Sequence, residues 1–230
     1  MGEQAPNIAR LNGITFGLAG ERLVARPSGA LWWPSEGMLV VSDLHLGKAE
    51  RLARRGGPLL PPYEVVDTLT RLEAEITALA PRKVLCLGDS FDDMDAVAGL
   101  PGDLRGWVAR LVAGTPWIWL TGNHDPAPTG LGGRAADLVT CGSLVFRHIA
   151  EPGATGEISG HYHPKAALRV RGGVTSRPCF LRDADRIVLP AFGTYTGGLR
   201  SDDPALTALM APAACAILTG QPMVEIPMPR

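Results

Sequence analysis

Lysine is nearly missing from this 230-residue chain: only Lys48, Lys83 and Lys165 occur, and arginine supplies the rest of its 22 cationic side chains. Against 23 carboxylates the net charge is −1. The whole-chain basic footprint of many nucleic-acid binders is therefore absent, and such a role would have to come from a local patch. Cysteine is scarce as well. Cys86, Cys141, Cys179 and Cys215 lie far apart with no CxxC pair, which excludes a thiolate zinc ribbon and argues against a disulfide framework. No apolar run approaches the ~18 residues of a membrane span. The N-terminal MGEQAPNIAR has no apolar stretch of signal-peptide type, and Pro6 stands where a myristoylation signal needs Ser or Thr. The expectation is a cytoplasmic protein with reduced thiols and no membrane association. Internal repeats, low-complexity tracts and charged linkers are also lacking, so a single domain over residues 1–230 is expected, large enough to fold without covalent staples.

Glycine and proline, by contrast, are plentiful, with 28 and 20 residues spread along the chain, which implies many tight turns. The first ~35 residues read as short strands between glycine turns (ITFGLAG, RLVARP, GALWWP). Met38–Asp43 (MLVVSD), Lys83–Gly88 (KVLCLG) and Pro116–Gly122 (PWIWLTG) read as buried strands. Between the first two, Val65, Val66, Leu69, Leu72, Ile76 and Leu79 recur at helical spacing, with Pro61 and Pro62 at the start and Pro81 at the end. A shorter helix is expected over Asp103–Val112. Beyond about residue 138 the pattern changes to short strands with Gly and Pro breaks: LVFRHI, EISG, AALRV, PCFL, RIVLPAF, CAILTG and MVEIP. The fold class expected is α/β, with two sheets packed in one core and helices outside.

The chemistry is concentrated where the strands stop. They end in Ser42–His45 (SDLH), Gly88–Asp92 (GDSFD) and Gly122–Asp125 (GNHD), and carboxyl ends of strands in open α/β sheets are where ligand sites form. All five histidines, His45, His124, His148, His161 and His163, fall at such ends or just after an apolar strand. Asp, Asn and Gly also favour turns for purely structural reasons, but that does not explain a histidine at every end. Imidazole, carboxylate and amide oxygen together suit divalent manganese, iron, zinc or nickel. Asp43 and His45, like His161 and His163, are two apart, so in an extended segment their side chains point the same way. A carboxylate such as Asp89 has two oxygens with which to bridge two cations.

Taken in order, DLH, GDSFD, GNHD, the lone His148 and GHYH resemble the five-part signature of the calcineurin-like metallophosphoesterase superfamily. The match spans Asp43 to His163. The resemblance implies a four-layer α/β/β/α sandwich with two mixed sheets and two divalent metal ions, manganese first, with iron, zinc, nickel or cobalt as alternatives. One ion would be held by Asp43, His45, Asp89 and His163, the other by Asp89, Asn123, His148 and His161. His124 would sit beside the scissile phosphate as a catalytic group, and Asp92, the last residue of GDxxD, would orient it. DLHLGKA, GHYHP, RPCF and LPAFGTYTGG further resemble the ligase-associated phosphoesterases, which accompany an ATP-dependent DNA ligase and a helicase and are described as DNA-damage-response endonucleases. Asp92 departs from that branch, which often has His there. LPAFGTYTGG is equally well explained as a glycine-rich turn closing a strand.

This implies a phosphodiesterase or nuclease acting on DNA in repair. The rivals are a small-molecule phosphodiesterase or phosphomonoesterase of the same fold, or a non-catalytic metal-bearing subunit of a repair complex. Lys48, Arg51, Arg54 and Arg55 form the densest basic cluster and are the candidate substrate contacts, although a charge run is also what a solvated face carries. The five tryptophans could stack bases, but their place on or beside apolar strands points to core packing.

Overall fold

The computed structural model describes residues 12–57, 59–61, 63–93, 95–125 and 130–230. Pro62, expected at the start of the long helix, lies outside the described residues.

The sequence pattern of paired apolar faces becomes two stacked sheets. The first has seven strands in chain order, β1 (Ile14–Leu18), β2 (Glu21–Ala25), β3 (Leu31–Trp33), β4 (Met38–Val41), β5 (Lys83–Cys86), β6 (Trp117–Leu120) and β7 (Arg134–Ala136). β1 to β4 are antiparallel, and β4 to β7 run parallel. The second sheet is built from β8 (Leu138–Cys141), β9 (Leu144–Arg147), β10 (Glu157–Ser159), β11 (Lys165–Val170), β12 (Gly173–Arg182), β13 (Arg186–Val188), β14 (Cys215–Leu218) and β15 (Val224–Pro227). It is also mixed: β9, β10 and β13 are parallel, and the other pairs are antiparallel.

Alternation explains the layers. In β4, Leu39 and Val41 face helices, while Met38 and Val40 face the second sheet. A strand with both faces covered must be apolar throughout, as MLVV is. The outer helices on the first sheet are α1 (Lys48–Arg54), α2 (Glu64–Leu79), α3 (Ala96–Gly99) and α4 (Gly102–Gly114). Val65, Leu69 and Leu72 of α2 and Val108 and Val112 of α4 pack there. On the far side of the second sheet, α5 (Pro204–Leu209) contributes Leu206 to a third cluster with Cys179, Leu181 and Ala216. The result is the α/β/β/α sandwich. Trp32, Trp33, Trp117 and Trp119 are buried in it, so these rings are core. All four cysteines are free thiols.

Candidate metal centre

Three loops at the carboxyl ends of β4, β5 and β6 meet two from the second sheet. The loops after β4 and β5 remain hydrogen-bonded beyond their strands, with His45 N donating to Asp89 O and Leu46 N to Ser90 O, both at 3.0 Å. Asp125 holds the β5 loop from the β6 side. Its carboxylate accepts from the backbone N–H groups of Asp89, Ser90 and Phe91 at 2.9, 2.7 and 3.2 Å. The second sheet is tied in by Phe192 N to Ser42 O and Gly193 N to Asp43 O, while Gly160 N to His148 O joins its own two loops.

The residues expected to converge do so, but not as an extended segment. Asp43, His45, Asp89, His161 and His163 have φ of 53°, 45°, 48°, 71° and 46°. Five of the eight described non-glycine residues with positive φ thus belong to this one cluster. Left-handed backbone costs of order 1–3 kcal/mol per residue and persists only where the surroundings impose it. The i, i+2 pairs therefore converge through left-handed turns locked by the flanking hydrogen bonds, rather than through strand alternation.

Two overlapping groups of donor atoms result. In one, Asp43 Oδ1 is 3.1 Å from His163 Nε2, which is 3.3 Å from His45 Nε2. In the other, His148 Nε2 is 2.9 Å from Asn123 Oδ1, 3.2 Å from His161 Nδ1 and 3.4 Å from Asp89 Oδ2. Asp89 Oδ2 also lies 4.0 Å from His45 Nε2, between the two groups. All seven expected ligands are gathered here.

The donor sets fit metal ions. His148 Nδ1 lies 2.8 Å from the Leu87 carbonyl and so donates to it. Its Nε2 then faces an amide oxygen, a carboxylate oxygen and another ring nitrogen, and a single proton could serve only one of the three. A divalent cation satisfies them together: metal–ligand bonds of about 2.1 Å put neighbouring ligand atoms roughly 3.0–3.4 Å apart. Asp43 Oδ1 is buried without a hydrogen bond, an orphan that a cation would also satisfy.

Electrostatics follow from the crowding of acid and imidazole. Burial raises the Asp89 carboxyl, but hydrogen bonding and charge from His148 outweigh it and hold the group at about 2. Asp43, fully buried, is likewise held below the ordinary carboxylate range by His163 and His148. Burial pushes Asp125 the other way, up to about 6. His161 is lowered by burial and by the neighbouring His148.

Asp92 differs from expectation. It meets His124 only through its backbone carbonyl, which accepts from His124 Nδ1 at 2.8 Å. Its carboxylate turns instead to His45 Nδ1, at 2.8 Å, and to Arg51 Nε. His124 is held at a second point, its backbone N–H donating to Asp89 Oδ1 at 2.8 Å.

The basic cluster is largely neutralised. Arg51 pairs with Asp92; Arg54 reaches Glu50, Asp93 and Asp95; Arg55 reaches Asp93. Lys48 has no such partner among the described residues. Two residues that hold the centre in place escaped the sequence reading. Asp125 stands at the fourth position of GNHD and could have been suspected. Ser42, whose hydroxyl donates to Asp43 Oδ2, has no distinguishing signal beyond its neighbour.

The profile of the family described as calcineurin-like phosphoesterase matches residues 38–176, a span that contains every residue of this cluster. No curated protein matches the sequence. Among solved structures, the chain is similar to a nuclease, MPE, from Pseudomonas putida, with 27% identity over 94% of this chain and 100% of that one, at a TM-score of 0.73. It is also similar to Yfce, a phosphoesterase from E. coli, with 10% identity over 84% of this chain and 99% of that one, at a TM-score of 0.41.

Proposed function

Because this chain belongs to the calcineurin-like phosphoesterase family and is a metal-dependent phosphoesterase, we propose that its substrate is a nucleic-acid phosphodiester, cleaved at a dinuclear centre. Asp43, His45, Asp89 and His163 hold one ion, and Asp89, Asn123, His148 and His161 hold the other. Manganese is our first choice, and iron, zinc, nickel and cobalt suit the same donors. The observation that carries the reading is the meeting of seven ligand atoms around the carboxylate of Asp89, where His148 Nε2 alone faces three neighbours that one proton cannot satisfy together.

Such a pair of ions supplies Lewis acidity against the charge that develops on phosphoryl oxygens. The chain's own part is positioning and proton transfer. With Nδ1–H donated to the Asp92 carbonyl, Nε2 of His124 carries a proton only in the imidazolium form, and in that form it donates to a phosphoryl oxygen or protonates the departing one. Asp92 steadies His45, and the Leu87 carbonyl fixes the tautomer of His148. Lys48, which among the described residues has no ion-pair partner, is the substrate contact of α1 that we retain. Nucleic acid is favoured by the 27% identical structure, itself a nuclease. DNA, and a place in repair alongside an ATP-dependent ligase and a helicase, follow from the resemblance of DLHLGKA, GHYHP and LPAFGTYTGG.

The test compares single-stranded DNA, plasmid, cyclic nucleotides and a chromogenic diester across Mn, Mg, Zn, Ni and Co, using the native chain and His124→Ala. The native chain is expected to cut DNA. The variant should lose at least about a hundredfold in turnover with unchanged metal content. Activity confined to cyclic nucleotides would establish the small-molecule reading instead, and an active His124→Ala would remove His124 from the chemistry.

A further inference from the structure

The arginines of α1 are matched by carboxylates, but among the described residues Lys165, Arg169 and Arg171 of the β11–β12 hairpin are not. From Gly160 to Arg182 the chain carries Lys165, Arg169, Arg171, Arg177 and Arg182 and no acidic residue at all. Arg182 pairs with Glu225, and Arg177 donates to the carbonyls of Thr219 and Pro222. Among the described residues Lys165 Nζ donates to the Thr196 carbonyl, at 3.1 Å, and to no carboxylate. Arg169 and Arg171 are exposed and have no ion-pair partner among the described residues.

The register sorts these residues by face. Lys165, Ala167 and Arg169 stand opposite Pro178, Ser176 and Val174, and directly paired residues share a face of an antiparallel ladder. The other face buries Ala166, with Leu168 packed beside it, against the third core cluster. Val170 pairs with Gly173, so Arg171 and Gly172 make the turn, where Gly172 takes a φ of 96°. One face and the tip of the hairpin therefore carry unneutralised cations.

This arm starts at the metal centre. Lys165 is two residues beyond His163, and with Pro178 it lines a groove of ≈ 380 Å³ that it shares with Gly193 and Tyr195. Gly193 N donates to Asp43 O, so one wall of the groove is bonded directly to the loop bearing the cluster. Tyr195 is exposed, in left-handed backbone with φ of 61°, which turns an aromatic ring outward instead of into the core. The groove's one carboxylate, Asp67, is matched by Arg71.

We propose that this arm and groove form a track for a polynucleotide strand entering the centre, with Lys165, Arg169 and Arg171 on its phosphates and Tyr195 stacked on a base. Lys165 to Arg171 spans about 20 Å of strand, several phosphates long, and stacking on an exposed ring is tolerant of sequence. The track deepens the nuclease reading above and rests on its choice of nucleic acid as the ligand.

The experiment measures fluorescence anisotropy of a labelled single-stranded phosphorothioate oligonucleotide over a salt series, and separately the cleavage of the normal oligonucleotide. The chains compared are the native one, Arg169→Ala/Arg171→Ala, Arg169→Lys/Arg171→Lys and Tyr195→Ala. The double Ala variant should bind about tenfold more weakly near 0.1 M salt. Its log–log salt slope should flatten by roughly 1.4, two phosphates at about 0.7 each. The double Lys variant should keep the slope, and Tyr195→Ala should lose affinity without changing it. Unchanged affinity and slope in the double Ala variant overturn the track, even if DNA is cut. Native binding without cleavage overturns the nuclease reading but leaves the track standing. Absence of native binding overturns both.

Discussion

The histidines of the centre are only as useful as the groups behind them. Asp92 is fully buried and gives its carboxylate to His45 Nδ1 and Arg51 rather than to solvent, so it sets both the tautomer and the ring plane of a ligand. Partners of this kind typically contribute ten- to a hundredfold to metal affinity. Asp92→Asn is accordingly expected to weaken binding of Mn by about that factor, read by competition with a chromogenic chelator. Wild-type affinity in that variant would assign Asp92 to Arg51 alone. Arg51 itself sits in the most cation-dense stretch of sequence, yet its charge is spent within the fold. Density of arginine along the chain did not predict free charge in space, because Asp92 meets Arg51 from the β5 loop, and Arg54 is met by Glu50 one turn back in α1 and by Asp93 and Asp95.

At the scale of elements, the centre depends on how closely two sheets approach at their ends. Gly160 terminates β10 and meets the end of β4. A Cβ there would lie 1.7 Å from Ser42 Oγ and 2.6 Å from Asp43 Oδ2. No rotamer change of Ser42 alone relieves the second contact, so the β10 loop must move and take His161 with it. Gly160→Ala should cost about 1–3 kcal/mol, a fall of roughly 2–12 °C in melting temperature for a chain of this size. It should also weaken metal binding. A melt and a metal titration together check this, and a variant with native melting and native affinity would mean that the approach is looser than described. The glycine of GHYH was legible as part of a motif; its reason was not, since the atom it avoids lies 118 residues earlier in Ser42.

At the scale of the whole molecule, the proposed ligands are divided between the sheets. Asp43, His45, Asp89 and Asn123 come from the ends of the first, and His148, His161 and His163 from the second. An ion bound only by the assembled pair stabilises it by mass action, about 2.7 kcal/mol at a hundredfold excess over its dissociation constant. Removing metal with a chelator should therefore lower the melting temperature by roughly 5–11 °C, and adding back Mn should restore it. A melting temperature indifferent to both would argue that the two sheets do not share the ions.

Much of this architecture could be read from sequence because burial acts locally on strands and helices. MLVV, KVLC and WIWL are apolar on both faces and became the buried strands, while the apolar stripe from Val65 to Leu79 became α2. The short elements α1, α3 and α5 and the strands β7 and β8 were not legible, since stretches of three to seven residues carry too little periodicity to stand out. The seven acceptor residues were legible by type and order, because few side chains can hold a divalent ion and each stands where a strand stops. Tertiary structure alone decided how they meet: through left-handed turns that no residue type requires, held by Asp125, Ser42 and close glycine contacts across the sheets. It also decided which cations stay free. Charge pairing is a matter of distance in space, so it silenced the arginines of α1 and left Arg169 and Arg171 of the β11–β12 hairpin without an ion-pair partner among the described residues.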